Sequence, residues 1–293
     1  KNSIILIGNF DGLHLGHQKL FKLAKKYKKK YSSKIGVLTF EPMPKMFFKS
    51  SLKNFRLSNL NQKIENLSKL NVDFVIIKQF NRKFSKTKST SFIKETLGKK
   101  LNPKFIFVSN NFRFGNKREG NVKQLIKYEK LCKYKIIKPQ PLSIKKKIIS
   151  SSLIRKYLQN GKLNDVNKLL KRNWSIDGKV QKGRQVGKKI GFPTANIDIK
   201  DYVLAKPGVY AVKARKMKNL DYIKGIANLG YRPTFNEKKI LLEVHLFNFS
   251  GNLYNKDLTV EFLKFIRKEK KFKNVNQLRK QIKIDLQVAK KTK

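Results

Sequence analysis

The first half of the chain alternates short apolar runs with longer amphipathic segments. Five runs read as β-strands: residues 4–7, 35–40, 72–77, 105–108 and 134–137. Between two of them, apolar residues recur at helical spacing: Leu60, Ile64, Leu67 and Leu70. Alternating strands and helices predict an α/β domain, a Rossmann-like parallel sheet with helices on both faces.

The pattern changes after about residue 173. Short β-rich runs then follow one another, separated by glycine and proline: residues 174–180, 209–214, 223–227, 240–249 and 258–265. Several alternate apolar and polar positions, which is typical of an antiparallel sheet or barrel with one buried face. The last segment, 275–289, places Leu278, Ile282 and Leu286 on one stripe and predicts a terminal helix.

These patterns predict two domains joined by a helical connector. We expect an α/β domain over residues 1–160, the connector over 161–173 and a β domain over 174–293. A chain of 293 residues, 40% of them hydrophobic, is long enough and apolar enough for two cores.

Targeting and redox features favour a soluble protein of the cytoplasm. No apolar run approaches the length needed to cross a bilayer, and the first residues lack a signal-peptide pattern. A single cysteine, Cys132, has no partner in the chain for a disulfide, which fits a reducing compartment. We expect no membrane partner.

The charge of the chain is extreme, with 70 Lys and Arg residues against 18 Asp and Glu and a formal net charge of +52. Such a field attracts polyanions, so a basic nucleic-acid-binding protein is one alternative. The lysines are spread along the whole chain, however, and form neither a tail nor a patch. Lys, Ile and Asn all have AT-rich codons, so a genomic bias explains the charge and we expect no specific nucleic-acid partner.

The strand at residues 4–7 leads into a candidate nucleotide-binding loop, Gly8-Asn9-Phe10-Asp11-Gly12-Leu13-His14-Leu15-Gly16-His17. Ligands of doubly wound sheets bind beyond the carboxyl ends of strands, where a helix N-terminus attracts phosphate. His14 and His17 are suited to donate hydrogen bonds to phosphate oxygens, and Gly16 allows close approach. The alternative is a pair of incidental surface histidines.

A second candidate segment runs from Ile149 to Arg155. Ser151 at a helix start is commonly only an N-cap. With Arg155 one turn further on, the same segment is suited to hold the terminal phosphates of ATP.

Together, these segments resemble the FMN adenylyltransferase module of bacterial bifunctional riboflavin kinase/FAD synthetases, members of the HxGH nucleotidyltransferase superfamily. The resemblance also covers residues 38–42 and 111–115. It implies direct attack of the FMN phosphate on the α-phosphate of ATP, with His14 and His17 stabilising the transition state. It implies ATP contacts from Gly8, Asn9, Phe10, Asp11, Gly16, Ser151 and Arg155, and flavin contacts from Asn111, Phe112 and Phe114.

One departure from that family concerns the flavin loop. The family has an Asp before its Phe-x-Phe-Gly sequence, where this chain has Asn111. The alternative for Phe112 and Phe114 is simple core packing. A kinase with an inactive first domain therefore stays open as a second interpretation.

The second half carries a glycine-rich segment between residues 178 and 196. Gly183, Gly187 and Gly191 alternate with cations, as in a loop whose N–H groups wrap phosphate, but the spacing fits neither a Walker loop nor the dinucleotide fingerprint. Thr194 and Asn196, two residues apart on a strand, share a face and offer the oxygen ligands that Mg²⁺ accepts beside nucleotide phosphates.

Glu243 stands between hydrophobic residues of a predicted strand in an acid-poor chain. It is either the solvent-facing residue of an alternating strand or a general base for an attacking alcohol beside ATP and Mg²⁺.

This half resembles riboflavin kinase along nearly its entire length, in residues 178–196, 208–211, 227–235 and 243–246. The resemblance implies a closed antiparallel barrel, Thr194 and Asn196 as Mg²⁺ ligands and Glu243 as the base toward the riboflavin 5′-hydroxyl. The small-molecule partners it implies are riboflavin, FMN, FAD and ATP. We expect a monomer or a weak oligomer.

Overall fold

The structure is a computed structural model that describes residues 2–49, 51–183, 187, 190–199, 201–217, 221–233 and 238–292, with only the backbone at 232, 233, 238 and 239. Two compact units divide the chain. The first comprises Lys1–Leu52 and Leu60–Ser150, and the second Lys53–Asn59 and Ser151–Lys293. Each unit is described by itself.

The first unit is built on a parallel sheet. Its strands are β1 (Ser3–Ile7), β2 (Lys34–Glu41), β3 (Phe74–Gln79), β4 (Phe105–Phe107), β5 (Arg113–Phe114), β6 (Gly120–Asn121), β7 (Lys135–Ile137), β8 (Ser143–Ile144) and β9 (Lys147–Ile148). Five of them form the sheet in the order β3-β2-β1-β4-β7, with every pairing parallel. The pairs β5-β6 and β8-β9 are short hairpins.

Helices follow the strands of this unit in alternation. They are α1 (Leu15–Tyr31), α2 (Pro44–Phe48), α3 (Leu60–Ser68), α4 (Arg82–Ser85), α5 (Ser89–Ser91), α6 (Val122–Lys127) and α7 (Glu129–Cys132), with a π-helix (Phe92–Leu101) after α5 and a 3₁₀ turn (Asn116–Arg118). Ile4 and Leu6 pack in one apolar cluster with Phe21 of α1. Ile5 and Ile7 pack in another with Ile93 of the π-helix. The predicted sheet with helices on both faces is thus confirmed.

One predicted stripe is wrong at a single position. Helix α3 buries Leu67, as expected, but Ile64 is 38% exposed and Lys63 only 1% exposed. An α-helix turns about 100° per residue, so a face that contains positions 63 and 67 turns position 64 toward solvent. The helix therefore buries a lysine at the position next to the isoleucine that the pattern favoured.

The second unit combines an antiparallel barrel with helices that precede and follow it. Its elements are α8 (Ser151–Gln159), α9 (Leu163–Leu170), β10 (Trp174–Gln181), β11 (Ala195–Asp198), β12 (Gly208–Lys216), β13 (Ile223–Pro233), β14 (Lys238–Leu246), β15 (Asp257–Arg267) and α10 (Val275–Lys291). The six strands close in the order β10-β11-β14-β13-β12-β15, and the pairings are antiparallel. The predicted barrel and terminal helix are confirmed.

Aromatic residues fill the barrel core. The rings of Trp174 and Phe262 lie 4.8 Å apart, and Tyr210 meets Phe262 edge-on at 5.1 Å. Helix α10 covers a second apolar cluster, where Ala289 packs with Val209 of β12. Among the described residues, no helix combines the length and the apolar composition needed to cross a membrane.

Residues 53–59 lie with the barrel although they are distant from it in sequence. The backbone N–H groups of Phe55 and Arg56 donate to the Asp201 carbonyl at 2.7 and 2.8 Å. The indole N–H of Trp174 donates to the Leu57 carbonyl at 3.0 Å. The two compact units thus comprise different stretches of the chain from the domains expected from sequence. The boundaries of those expected domains stay a prediction.

Candidate active sites

The loop between β1 and α1 is held at the carboxyl edge of the sheet. The Gly8 N–H donates to the Leu38 carbonyl of β2 at 3.1 Å, which fixes the start of the loop. Phe10 and Leu13 adopt left-handed backbone conformations, with φ of 46° and 44°. Non-glycine residues in this region cost conformational energy and concentrate at functional sites. The local strain therefore marks the same loop that the sequence singled out.

The two histidines of this loop form a stacked pair. His14 caps α1, and its Nδ1 accepts the backbone N–H of His17 at 3.4 Å. Their rings lie 3.7 Å apart and nearly parallel, at 18°. Because Nδ1 of His14 accepts, a neutral His14 ring carries its hydrogen on Nε2 and presents it as a donor.

His17 is held in its neutral form. Burial lowers its pKa well below the usual value, and the nearby His14 and Lys63 lower that pKa further. Its Nδ1 is sealed from solvent and has no hydrogen-bond partner among the residues that the structure describes. Buried polar atoms without partners are rare in folded proteins, so this nitrogen is suited to a bound ligand.

Gly16 makes room for the second candidate segment. A side chain there would come within 3.2 Å of the Ile149 carbonyl and of the His14 ring. The start of the segment 149–155 thus lies against the histidine loop.

Ser151 and Arg155 belong to α8 of the second unit. There Arg155 donates through Nε to the Phe55 carbonyl at 2.7 Å, and its guanidinium lies 3.7 Å from the centre of the Phe55 ring. Their predicted place beside the histidines stays a prediction.

The buried Lys63 was missed by the sequence analysis. Its ammonium lies 3.4 Å from the Thr39 hydroxyl of β2, and that hydroxyl donates to the Asn9 carbonyl at 3.5 Å. Helix α3, strand β2 and the histidine loop therefore meet at this lysine. In a chain with 70 Lys and Arg residues, a single lysine gives no sequence signal of its own.

The predicted flavin loop contributes to an aromatic cluster. Asn111 is exposed, Phe112 is half-buried and Phe114 is buried, with the two rings stacked 5.5 Å apart. Further phenylalanines extend the cluster by ring contacts: Phe40, Phe47, Phe48, Phe80, Phe84 and Phe92. Phe48 is 66% exposed, so part of this aromatic surface is open. Such a surface is suited to a planar ring system.

The barrel carries a cavity of about 290 Å³ beside Glu243. Its lining also includes Gly187, Phe192, Thr194 and Asn228. Glu243 lies at the centre of three strands, paired with Asn196 of β11 on one side and Asn228 of β13 on the other. Glu243 thus lies in a cavity wall, and its role as a general base stays a prediction.

Thr194 and Asn196 lie under the glycine loop. A side chain at Gly183 would overlap the Asn196 amide, and one at Gly187 would come within 3.3 Å of the Thr194 hydroxyl. The Asn196 Oδ1 is buried without a hydrogen-bond partner among the described residues. An orphaned amide oxygen beside a hydroxyl fits a hard cation such as Mg²⁺.

The other residues of the glycine segment divide into two groups. Gly191 is exposed, adopts a φ of 88° and meets no atom within 4 Å of where its side chain would begin, so it does not line the cavity. Residues 184–186, 188 and 189, and the part 234–235 of the matching stretch 227–235, lie outside the described residues.

Two further contacts shape the cavity and were not expected from sequence. His245 donates through Nδ1 to the Pro193 carbonyl at 2.8 Å, next to Thr194. Arg267 binds Asp285 of α10 through Nε and Nη2, the shortest contact being 2.6 Å. Because Asp285 is almost fully buried, this ion pair fixes the terminal helix against the cavity wall.

Comparisons with protein families match both halves of the chain. The family model described as FAD synthetase matches residues 1–153, and the one described as riboflavin kinase matches residues 170–293.

Curated relatives are similar over nearly the whole chain. A protein of Buchnera aphidicola from Schizaphis graminum is 41% identical over 99% of this chain and 94% of its own. One of Haemophilus influenzae is 39% identical over 98% and 92%, and one of Escherichia coli K12 is 34% identical over 95% and 89%. All three bear the name bifunctional riboflavin kinase/FMN adenylyltransferase.

A solved structure, described as a macrolide-efflux protein from Streptococcus pneumoniae, has a similar fold. It superposes with a TM-score of 0.87 at 27% identity and covers 100% of this chain and 95% of its own. This similarity supports the fold.

Proposed function

Since the chain belongs to the family of bifunctional riboflavin kinase/FMN adenylyltransferases, we propose that it makes FMN from riboflavin and then FAD from FMN. One observation carries this proposal: each unit presents the site that its half of the reaction needs. The barrel has Glu243 and Thr194 in the lining of one cavity, and the Asn196 Oδ1, on the strand next to Glu243, is buried without a hydrogen-bond partner among the described residues. The parallel sheet has paired histidines in a strained loop at its carboxyl edge.

In the kinase step, Glu243 is the proposed general base. It takes the proton from the 5′-hydroxyl of riboflavin, whose oxygen bonds to the γ-phosphorus of ATP while the bond to ADP breaks. Thr194 and Asn196 would hold Mg²⁺, and Gly183 and Gly187 let the loop approach the phosphates. When bound, Mg²⁺ neutralises charge on the phosphate oxygens.

In the adenylyl transfer, a phosphate oxygen of FMN attacks the α-phosphorus of ATP and pyrophosphate leaves. The Nε2 hydrogen of His14 donates to the oxygen on which charge builds up, and His17 supplies a second hydrogen bond. Gly16 and residues 8–11 hold the nucleotide, while Ser151 and Arg155 hold the leaving phosphates.

The flavin of this step would lie on the aromatic cluster around Phe112 and Phe114. Phe48 and its neighbours offer an exposed ring surface at the same edge of the sheet as the histidine loop. Asn111 would act at the rim through its amide, without the carboxylate that the family pattern has there.

A time course with riboflavin, ATP and Mg²⁺ tests the proposal directly. We expect FMN to form first and FAD to follow, separated chromatographically. FMN without FAD, even at high FMN and ATP, would favour a kinase with an inactive first domain. No flavin product, together with salt-sensitive DNA binding, would favour the nucleic-acid-binding alternative.

Two substitutions assign the steps to their sites. Glu243→Gln should lower FMN formation by at least about a hundredfold and leave FAD formation from supplied FMN intact, because only the kinase needs this base. His14→Ala should do the reverse, lowering adenylyl transfer by about a hundredfold or more. Each variant is the control for the other, and equal losses in both reactions would contradict the assignment.

A further inference from the structure

Lys63 is buried at the position next to the isoleucine that the sequence pattern favoured. Its relative exposure is 1%, whereas the other described lysines are half-buried or exposed. Removing an ammonium from water is costly unless nearby groups compensate, and lysine is among the residues least often fully buried. A methionine or leucine would fill the same space at no such cost. The burial of its charge therefore sets Lys63 apart from the other described lysines.

The contacts of Lys63 tie its ammonium to the histidine loop. The Thr39 hydroxyl lies 3.4 Å from Nζ and itself donates to the Asn9 carbonyl at 3.5 Å. Asn9 directly follows Gly8, the first residue of the loop. The side chain thus runs from α3 across the end of β2 to the proposed site of ATP.

The lowered pKa of His17 indicates that the charge of Lys63 acts on the His17 ring. His14 and Lys63 are the charged or titratable neighbours that act on the His17 ring, and both disfavour its protonated form. The ammonium therefore acts on the same space as the unpartnered Nδ1 of His17. The neutral His17 ring and the Lys63 ammonium that acts on it are a combination suited to a multiply charged anion.

We propose that Lys63 is the fixed positive charge of the adenylyltransferase site and donates a charge-assisted hydrogen bond to the phosphates of ATP. The inference rests on the proposed function. As the FMN oxygen bonds to the α-phosphorus and the bond to pyrophosphate breaks, negative charge moves onto the leaving group. Lys63 keeps its proton throughout and stabilises that charge.

The test compares two changes at Lys63 with one at a matched lysine. Lys63→Met keeps the length of the side chain and removes the charge, and should slow FAD formation from FMN by about a hundredfold or more. Lys63→Arg keeps the charge and should be at least about tenfold faster than Lys63→Met. Lys69→Met, at the end of the same helix and exposed, should match the wild type.

Two measurements without turnover separate a phosphate contact from a packing role. Pyrophosphate should bind Lys63→Met about tenfold more weakly than wild type, by calorimetry, because a charge-assisted hydrogen bond is lost. The pKa of His17, followed by NMR, should rise in the same variant. The chain has three histidines, which makes the assignment of its signal tractable.

Clear outcomes overturn the inference. FAD formation by Lys63→Met within about threefold of wild type would do so. So would slow turnover with unchanged pyrophosphate affinity and an unchanged His17 pKa, because packing alone then explains the loss. If wild type forms no FAD, the proposed adenylyl transfer fails, yet pyrophosphate affinity still decides the role of Lys63. A wild type that does not bind pyrophosphate refutes that role.

Discussion

At the scale of single residues, the proposed Mg²⁺ site of the barrel consists of two side-chain oxygen atoms. The Asn196 Oδ1 is buried and lacks a partner among the described residues, a costly state that a bound cation relieves. The Thr194 hydroxyl lies at the same loop, beside Gly187.

Asn196→Ala and Thr194→Ala should therefore each raise the Mg²⁺ concentration for half-maximal FMN formation, by about tenfold. The measurement is a Mg²⁺ titration of the kinase rate at saturating ATP and riboflavin. Asn160→Ala, at the exposed end of α8, is a matched control and should leave the titration unchanged. Unchanged titrations in both site variants would show that the metal is held elsewhere.

His17 makes the stability of the first unit depend on pH. Its pKa is lowered in the folded chain, so below its ordinary pKa of about 6.5 the unfolded chain binds a proton that the folded chain does not. The effect of His17 on the free energy of unfolding is therefore absent above about pH 7.5, and it destabilises the first unit progressively as the pH falls.

Between pH 7.5 and 5.5 the loss for one such histidine reaches up to about 1.4 kcal/mol. This loss of stability is measured by chemical unfolding of the first unit across the pH range, with hydrogen exchange of the β1 and β2 amides as the signal. In His17→Gln, the free energy of unfolding should fall less over this pH range, by the amount that His17 contributes. An equal slope in the variant would mean that His17 titrates normally in the folded chain.

Residue chemistry was only partly predictable from sequence. The position of Glu243 in a strand was clear, but only the closed barrel shows that this residue lines a cavity. Lys63 gave no signal because a lysine on an amphipathic helix predicts exposure, and the rotation of α3 on the sheet decides which neighbour is buried.

At the scale of elements, the terminal helix α10 completes the wall of the barrel cavity. Leu278, Ile282 and Asp285 line that cavity, and the buried pair of Arg267 with Asp285 holds the helix there. Removing one partner of a buried ion pair leaves the other charge without compensation.

Asp285→Asn should therefore destabilise the barrel by about 3–5 kcal/mol and lower the rate of FMN formation. Denaturant unfolding followed by the fluorescence of Trp174 measures the stability. Lys280→Ala, at an exposed position of the same helix, should change stability by no more than about 0.5 kcal/mol. A similar small effect of Asp285→Asn would show that packing alone holds α10.

Regular elements followed the sequence pattern closely. Strand β2 was expected at residues 35–40 and spans Lys34–Glu41, and the last helix was expected at 275–289 and spans Val275–Lys291. The hairpins β5-β6 and β8-β9 were not predicted, because strands of two residues are too short to show a period.

At the scale of the whole molecule, the net charge of +52 sets the background for both reactions. A field of this size attracts ATP, but it attracts other polyanions as well and selects none of them. In the proposed assignment, selection falls to local groups: the histidine pair and Lys63 in one unit, and Glu243 with Thr194 and Asn196 in the other. On this proposal the two reactions depend on different residues within one strongly basic chain.

The second unit also depends on a segment that sequence order assigns elsewhere. Residues 53–59 pair with the backbone at 201–203, and Leu57 of this segment is buried and accepts the indole N–H of Trp174. A periodicity in the sequence cannot reveal such a pairing, because seven residues without a regular pattern carry no mark of their distant partner.

A fragment of residues 151–293 should therefore be less stable than the barrel of the full chain. It lacks the buried Leu57 and leaves the indole of Trp174 without its acceptor, losses of about 2–5 and 1–3 kcal/mol in comparable cases. We expect an unfolding temperature at least about 5 °C lower and a red-shifted emission of Trp174, the single tryptophan of the chain. In the full chain, Leu57→Ala should shift both properties in the same direction by a smaller amount, while Leu131→Ala at an exposed site should shift neither. A fragment with the unfolding temperature and emission of the full chain would show that the segment 53–59 contributes nothing to the barrel.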